Sequence, residues 1–243
     1  AAEGQMTSDL ALRAAQKALN NAQCTAADID AVIVATTTPD YTFPATAVKV
    51  QAGLGMRPGT VAFDVQAVCS GFVYALAIAN NFIASGQMQR ILVIGAETMT
   101  RLLDWNDRTT AILFGDGAGA VVLEACEDGR GILSTHLHAD GTQQGLLHTT
   151  GGPSFNGQVG TMVMEGREVF RHAVQRLAEV VDETLAANGL DKSAVTWLVP
   201  HQANKRIIDA TAEKLGLPTD RVILTIGQHG NTSGASVPLA LAH

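Results

Sequence analysis

Cysteine is almost absent from this sequence. Cys24, Cys69 and Cys126 are odd in number and far apart, which fits neither a disulfide framework nor a zinc site. A reducing, cytoplasmic compartment is therefore expected. No apolar run approaches ~18 residues, so no membrane span is expected. The first residues, AAEGQMTSDL, lack the charged-then-apolar pattern of a secretion signal. Charge is sparse at 16% of residues and sums to -7, a balance that does not suggest a nucleic-acid partner. Aromatics make up only 5%, while glycine occurs 24 times. Such a chain favours close packing of backbone on backbone, as when a helix lies on a sheet.

What is present is an apolar chain of 243 residues, 47% hydrophobic, enough for a substantial core. Helical and strand patterns alternate. Residues 8–22 read as an amphipathic helix capped by Ser8, and AVIVAT (31–36) as a short strand. A helix follows Pro44. VAFDVQAV (61–68) reads as a strand leading into a helix that begins at Cys69 and ends at Gly86; RILVIGAE is another strand. FGDGAGAVVLE (114–124) reads as a glycine-rich bend feeding a strand, and 139–160 as a loop. A long helix is expected over Glu165–Asn188. Strand AVTWLVP, a helix through 202–215, strand RVILTI and a last helix near Asn231 follow. The alternation argues for an α/β fold with a largely parallel sheet.

The order helix, acidic turn, strand occurs in ALNNAQCTAADIDAVIVATT and again in TLAANGLDKSAVTWLVPH. We read this as a duplicated α/β unit, with halves at 1–127 and 128–243. On that reading Cys69 and Asn231 occupy equivalent helix N-termini.

Three residues have types that could do chemistry. A thiol at a helix N-terminus feels the positive end of the macrodipole, which would lower the pKa of Cys69; an inert buried cysteine is the other reading. His201 stands at the end of a strand, where ligands gather in parallel sheets, although a lone His there is more often a packing residue. Asn231 suits an N-cap as well as a polar contact. His201 follows Cys69 by 132 residues, a spacing that also suits papain-like proteases, whose His and Asn lie roughly 130–150 residues after Cys. The papain signature is missing, however; the chain reads VCSGFVY. Gly115, Gly117 and Gly119 fail the dinucleotide fingerprint, because Ala120 stands where the third glycine belongs. His136 and His138 share a face but lack a third ligand, so a structural role is favoured over a metal site.

The strings DVQAVCSGF, ILFGDGAGAVVLE, STHLHADG, WLVPHQANKRII and HGNTSGASVPLAL closely resemble the β-ketoacyl-acyl-carrier-protein synthase III family of thiolase-like condensing enzymes. The resemblance runs along essentially the whole chain. It implies a thiolase-like fold with duplicated halves in an αβαβα layering. It also implies condensation of a short acyl-CoA with malonyl-acyl-carrier protein through an acyl group on Cys69, with His201 and Asn231 as hydrogen-bond donors. Acyl-CoA would be a substrate, and no cofactor is implied.

Other positions match the family's motifs one by one. Arg108 would contact CoA, and Gly166, Phe170 and Asn204 would line the pantetheine tunnel. Phe43 would reach into the partner subunit of a homodimer. Arg167, Arg171, Gln202, Lys205, Arg206 and Lys214 would receive the acidic carrier protein. Family members extend further at both ends. The resemblance implies a preceding strand with a Trp/Arg segment for the CoA adenine, and a following GGGF loop that supplies one oxyanion donor beside the Cys69 amide. The sequence therefore reads as part of a longer chain. Related ketosynthases or acyltransferases of specialised metabolism, and a truncated inactive form, are the alternatives.

Overall fold

The computed structural model describes residues 1–243. Its centre is a four-stranded sheet in the order β2-β1-β3-β4. The strands are β1 (Ala31–Ala35), β2 (Val61–Val65), β3 (Arg90–Thr98) and β4 (Asp116–Glu124). β1 pairs in parallel with both neighbours, Ala31 facing Val61 on one side and Ile91 on the other. All five of its residues are buried, as a continuous AVIVA run covered on both faces requires. β4 runs antiparallel to β3, with Arg90 opposite Glu124 and Thr98 opposite Asp116. The sheet is therefore mixed.

Helices cover both faces. On one, α1 (Thr7–Asn21) and α2 (Thr46–Gly53) pack Ala11, Ala15, Ala47 and Val50 on Val32, Val34, Leu92 and Ile94. Alanine at these positions lets the helices sit close to the strands. α1 begins at Thr7, and the Asp9 carboxylate accepts the Met6 N–H at 2.8 Å. Ser8 is not its cap. The Ser8 hydroxyl instead donates to Asp40 at 2.6 Å, and Lys49 pairs with the same carboxylate. On the opposite face, α3 (Gly71–Ala84) sets Phe72, Ala75 and Ala79 against Ile33, Ala35, Ile91 and Val93.

The last helix, α8 (Ser236–Leu241), lies on this second face, and the glycines of β3 and β4 admit it. A Cβ on Gly119 would stand 2.7 Å from the Pro238 carbonyl carbon, and one on Gly117 would stand 2.9 Å from Leu239 Cδ1. A Cβ on Gly95 would come within 3.1 Å of Ala235 Cα. Of the glycines expected to form a bend, Gly117 and Gly119 are strand residues, stripped of side chains so that another segment can approach, while Gly115 precedes β4 and lies against the His229 carbonyl.

The remaining chain contains α4 (Arg108–Ala111), the hairpin of β5 (Leu147–Thr149) and β6 (Met162–Met164), α5 (Gly166–Ala187), α6 (Lys205–Leu215) and α7 (Ile226–His229). β5 lies within the segment expected to be loop, and β6 begins just after it. The strands expected in AVTWLVP and RVILTI are reduced to one parallel bridge, Leu198 with Val222. Its two hydrogen bonds are Leu198 N–H to the Arg221 carbonyl and Ile223 N–H to the Leu198 carbonyl. β1 is held from both sides, whereas the Leu198 stretch is paired on one side only and Trp197 is 56% exposed. An isolated pair of this kind makes few ladder bonds. No helix is long and apolar enough to cross a membrane.

Candidate active site

Three stretches meet at the turn Ser233–Ala235, the one-turn helix that precedes α8. The first carries Cys69. After β2 the chain enters a one-turn helix, Val68–Ser70, before α3 begins at Gly71. Val68 takes φ 46° to make that entry, and Ser233 takes φ 49° at the same point of its own turn. Both one-turn helices begin with this uncommon dihedral, and Gly234 holds the second place in its turn as Cys69 does in its own. Asn231 lies three residues earlier and is not at a helix N-terminus. Its backbone is extended, bridging in parallel to Phe114.

The Cys69 thiol does not have the lowered pKa expected from α3. Burial pushes it up to about 11; the hydroxyl of Ser233 pulls the other way, and the charge of Glu97 adds to the rise. The residue keeps some solvent contact, but its sulfur is enclosed, and desolvation outweighs the dipole.

The second stretch is WLVPHQAN. The His201 ring Nδ1 bonds with Ser236 Oγ at 2.5 Å, and the Gln202 N–H donates to the same hydroxyl at 3.2 Å. Burial lowers the His201 pKa to about 4, so the ring is neutral at pH 7. The third stretch is HGNTS. The Asn231 backbone N–H donates to the Leu113 carbonyl at 2.8 Å, and its carbonyl accepts from Gly115 N–H at 3.0 Å. Its side-chain Oδ1 accepts the Ser233 N–H at 2.9 Å, and Nδ2 reaches the Ala203 carbonyl at 3.4 Å. One Nδ2 proton is left to donate elsewhere. Cys69, His201 and Asn231 are therefore all tied to a single short segment, Ser233–Ser236, which the glycine faces of β3 and β4 receive.

The remaining sequence-selected residues lie around this centre. Asn204 accepts the Arg206 N–H at 2.9 Å and so caps α6. Gly166 opens α5 and Phe170 lies one turn further on, and Arg206 stacks over the Phe170 ring at 5.4 Å. Arg167, Arg171, Lys205, Arg206 and Lys214 are exposed on α5 and α6; Arg171 pairs with Glu168 and Lys205 with Asp209. Arg108 is exposed at the start of α4, and Phe43 is 83% exposed. Gln202 departs from expectation. It is 1% exposed, and its amide is used up internally. It donates to the Pro200 and Ile223 carbonyls and accepts from Thr225 and Ile226. It braces the site from behind and offers nothing to a docking partner. Outside the centre, His136 and His138 sit in coil and both bond to Glu183, at 3.0 and 2.7 Å.

Sequence reasoning missed Ser236, Ser233 and Glu97. The first two lie inside the quoted HGNTSGAS string, but nothing in their types marks them as partners of His201 and Cys69.

Comparison with known proteins fits this geometry. Residues 63–141 match the 3-oxoacyl-[acyl-carrier-protein] synthase III family, and residues 185–243 match the C-terminal part of the same family. The chain is 63% identical to the β-ketoacyl-[acyl-carrier-protein] synthase III of Rhodospirillum rubrum, covering 99% of this chain and 76% of that protein. The chain belongs to the 3-oxoacyl-[acyl-carrier-protein] synthase III family. The corresponding synthase of Rhodobacter capsulatus is 59% identical, over 100% of this chain and 76% of the relative. The crystal structure of the synthase from Aquifex aeolicus VF5 superposes with a TM-score of 0.94 at 45% identity, covering 99% of this chain and 76% of that one. These likenesses make the chain an α/β, thiolase-like acyltransferase, and they exclude the protease left open by residue spacing alone.

Proposed function

We propose that this chain condenses a short acyl-CoA with malonyl-acyl-carrier protein, releasing carbon dioxide and forming the 3-oxoacyl-acyl-carrier protein that initiates fatty-acid synthesis. The observation that carries the reading is the meeting of Cys69, His201 and Asn231 at the Ser233–Ser236 segment of a synthase III chain.

In this reading Cys69 attacks the acyl-CoA thioester, giving an acyl-enzyme and free CoA; this divides a difficult transfer into two steps. Malonyl-acyl-carrier protein then binds. His201 and Asn231 donate to its thioester oxygen as the carboxylate departs, and they stabilise the enolate. One such donor is worth ~10²–10³ in rate. When the Ser236 hydroxyl donates to Nδ1, Nε2 carries the ring proton and becomes the donor. A neutral ring, with its pKa held near 4, keeps that assignment over the working pH range. Asn231 donates without titrating. The enolate carbon attacks the acyl carbonyl, and the Cys69 thiolate leaves.

The reading extends to the surroundings. The exposed cations of α5 and α6 would receive the acidic carrier protein, without Gln202. Arg108 would meet CoA, and Phe170 would line the pantetheine path under Arg206. Exposed Phe43 would enter the acyl pocket of a second copy, making a homodimer. The reaction needs no redox or metal cofactor, and its substrates and a reducing cytoplasm go together. We also read the halves 1–127 and 128–243 as copies of one unit. The matched turns at Val68 and Ser233 support this, with Cys69 equivalent to Gly234.

The test is labelling with radioactive acetyl-CoA. Wild type should take up label at Cys69 and Cys69→Ala should not; an unlabelled wild type overturns the proposal. A requirement for malonyl on the carrier protein distinguishes a fatty-acid initiator from a specialised-metabolite relative.

A further inference from the structure

A thiol with a pKa near 11 must hand its proton to something before it attacks. His201, with its pKa held near 4, is a weak base for that task. A buried carboxyl stands on the other side of the same turn. Glu97, on β3, is 0% exposed. Its Oε2 accepts four hydrogen bonds: Thr38 Oγ1 at 2.6 Å, Thr37 N–H at 3.0 Å, Thr38 N–H at 3.1 Å and Thr36 Oγ1 at 3.3 Å. Its Oε1 shares in none of these. It lies against the Ser233–Ala235 turn, 3.5 Å from where a Gly234 Cβ would stand.

Glu97 Oε1 and Ser233 Oγ are both buried, and neither has a completed hydrogen bond. The turn that carries Ser233 packs between the Cys69 turn and Glu97, since a Cβ on Gly234 would meet the Val68 carbonyl oxygen at 3.1 Å and Glu97 Oε1 at 3.5 Å, and the Ser233 hydroxyl favours the ionised form of both the thiol and the carboxyl. A carboxyl that served only to brace Thr36–Thr38 would not need a second oxygen buried unpaired beside the nucleophile, because an unmade buried hydrogen bond costs stability. Burial raises the Glu97 pKa, and the donors on Oε2 offset part of that rise. A carboxyl whose pKa is raised accepts a proton more readily than an ordinary glutamate.

We propose that Ser233 and Glu97 form a proton relay that holds the Cys69 proton for as long as the cysteine carries its acyl group. This rests on the condensation reading above. In the first step the S–H bond of Cys69 breaks, and its proton passes to Ser233 Oγ as the Ser233 proton passes to Glu97 Oε1. The thiolate attacks the acyl-CoA carbonyl, and CoA leaves as a thiolate that is protonated by solvent. In the second step the enolate attack expels the Cys69 thiolate. The proton returns from Glu97 through Ser233, restoring the thiol and the carboxylate. Glu97 touches no substrate atom and is a positioning residue for the proton. The acyl-enzyme therefore carries a neutral Glu97, which removes a negative charge from the neighbourhood in which the enolate forms. The titratable groups gathered on this turn are Cys69, Glu97 and, through Ser236, His201.

The experiment is infrared difference spectroscopy of wild type before and after acylation by acetyl-CoA, with the glutamates isotopically labelled. A protonated-carboxyl band should appear on acylation and be missing in Glu97→Gln. The same variant should acylate ~10²-fold more slowly at pH 7, with the deficit shrinking as pH rises and the thiol ionises unaided. Ser233→Ala should show the same pH dependence, and covers the case in which Glu97→Gln does not fold. An acylated wild type with no new carboxyl band overturns the relay, as do variants that match its rate and pH profile. A wild type that acetyl-CoA does not acylate overturns the condensation reading itself.

Discussion

Replacing Gly119 by alanine tests whether the glycine face of β4 sets the geometry of the site. The new Cβ would stand 2.7 Å from the Pro238 carbonyl carbon and 2.8 Å from both Leu239 N and Pro238 Cβ. Ordinary contact begins near 3.4 Å, so α8 must retreat by about 0.7 Å. The obstructing atoms are mostly backbone on both sides and cannot rotate away. Overpacking of this kind costs about 1–3 kcal/mol. At roughly 2–4 °C per kcal/mol for a chain of this size, Tm should fall by about 2–12 °C. α8 begins at Ser236, the partner of His201, so the imidazole loses its anchor position as well. A misplacement near 1 Å can cost ~10² in rate, and acetyl-Cys69 turnover with malonyl-carrier protein should drop by about 10- to 100-fold. Thermal unfolding and single-turnover condensation measure the two effects. Gly141→Ala is the control, since a Cβ there meets nothing within 4 Å. A Gly119→Ala protein with wild-type Tm and turnover would refute the reasoning.

The other predictions concern the α6 cap and the buried imidazole. Asn204→Ala should lower stability by about 1 kcal/mol through loss of the α6 cap, and Asn204→Ser should restore most of it; chemical denaturation gives both values, and an unrescued Ser variant would argue against a capping role. The His201 pKa is depressed in the folded chain, so its contribution to stability is present above the unfolded value of ~6.5 and is lost as pH falls toward 4. Wild type should therefore lose more thermal stability than His201→Gln between pH 7 and pH 4, and parallel pH profiles would contradict the buried, neutral ring.

The first half of the fold was legible because its signals were redundant. AVIVA is both apolar and short, RILVIGAE repeats it, and helices with alanine faces flank them. The second half was less legible. AVTWLVP has the composition of a strand, but strand structure is a property of partners, and Leu198 finds one bridge where β1 finds two ladders. The glycines 115, 117 and 119 were recognised as special but given the wrong purpose, because a sequence does not display the helix that will lie against them. The stretches that bring Cys69, His201 and Asn231 to one segment were marked by motifs, whereas the thiol's environment was not. The dipole argument uses only local structure, while burial depends on what closes over the sulfur, chiefly residues more than 160 positions away. Gln202 was misread for the same reason: a polar residue in HQAN looks available until its four hydrogen bonds are counted.

The turns at Val68 and Ser233 bring together the proposed nucleophile, Cys69, and the stretch that carries or anchors the proposed donors, Asn231 and His201. Neither half holds a working set alone. The reaction centre comes into being only when two pieces of backbone, each bent at one uncommon dihedral, are pressed together with nothing but glycine between one of them and the sheet. On the proposed mechanism, chemical competence depends on this tertiary contact and not on local structure alone. A chain whose Ser233–Ser236 segment is not seated leaves His201 without its Ser236 partner and Cys69 without the turn that encloses its sulfur.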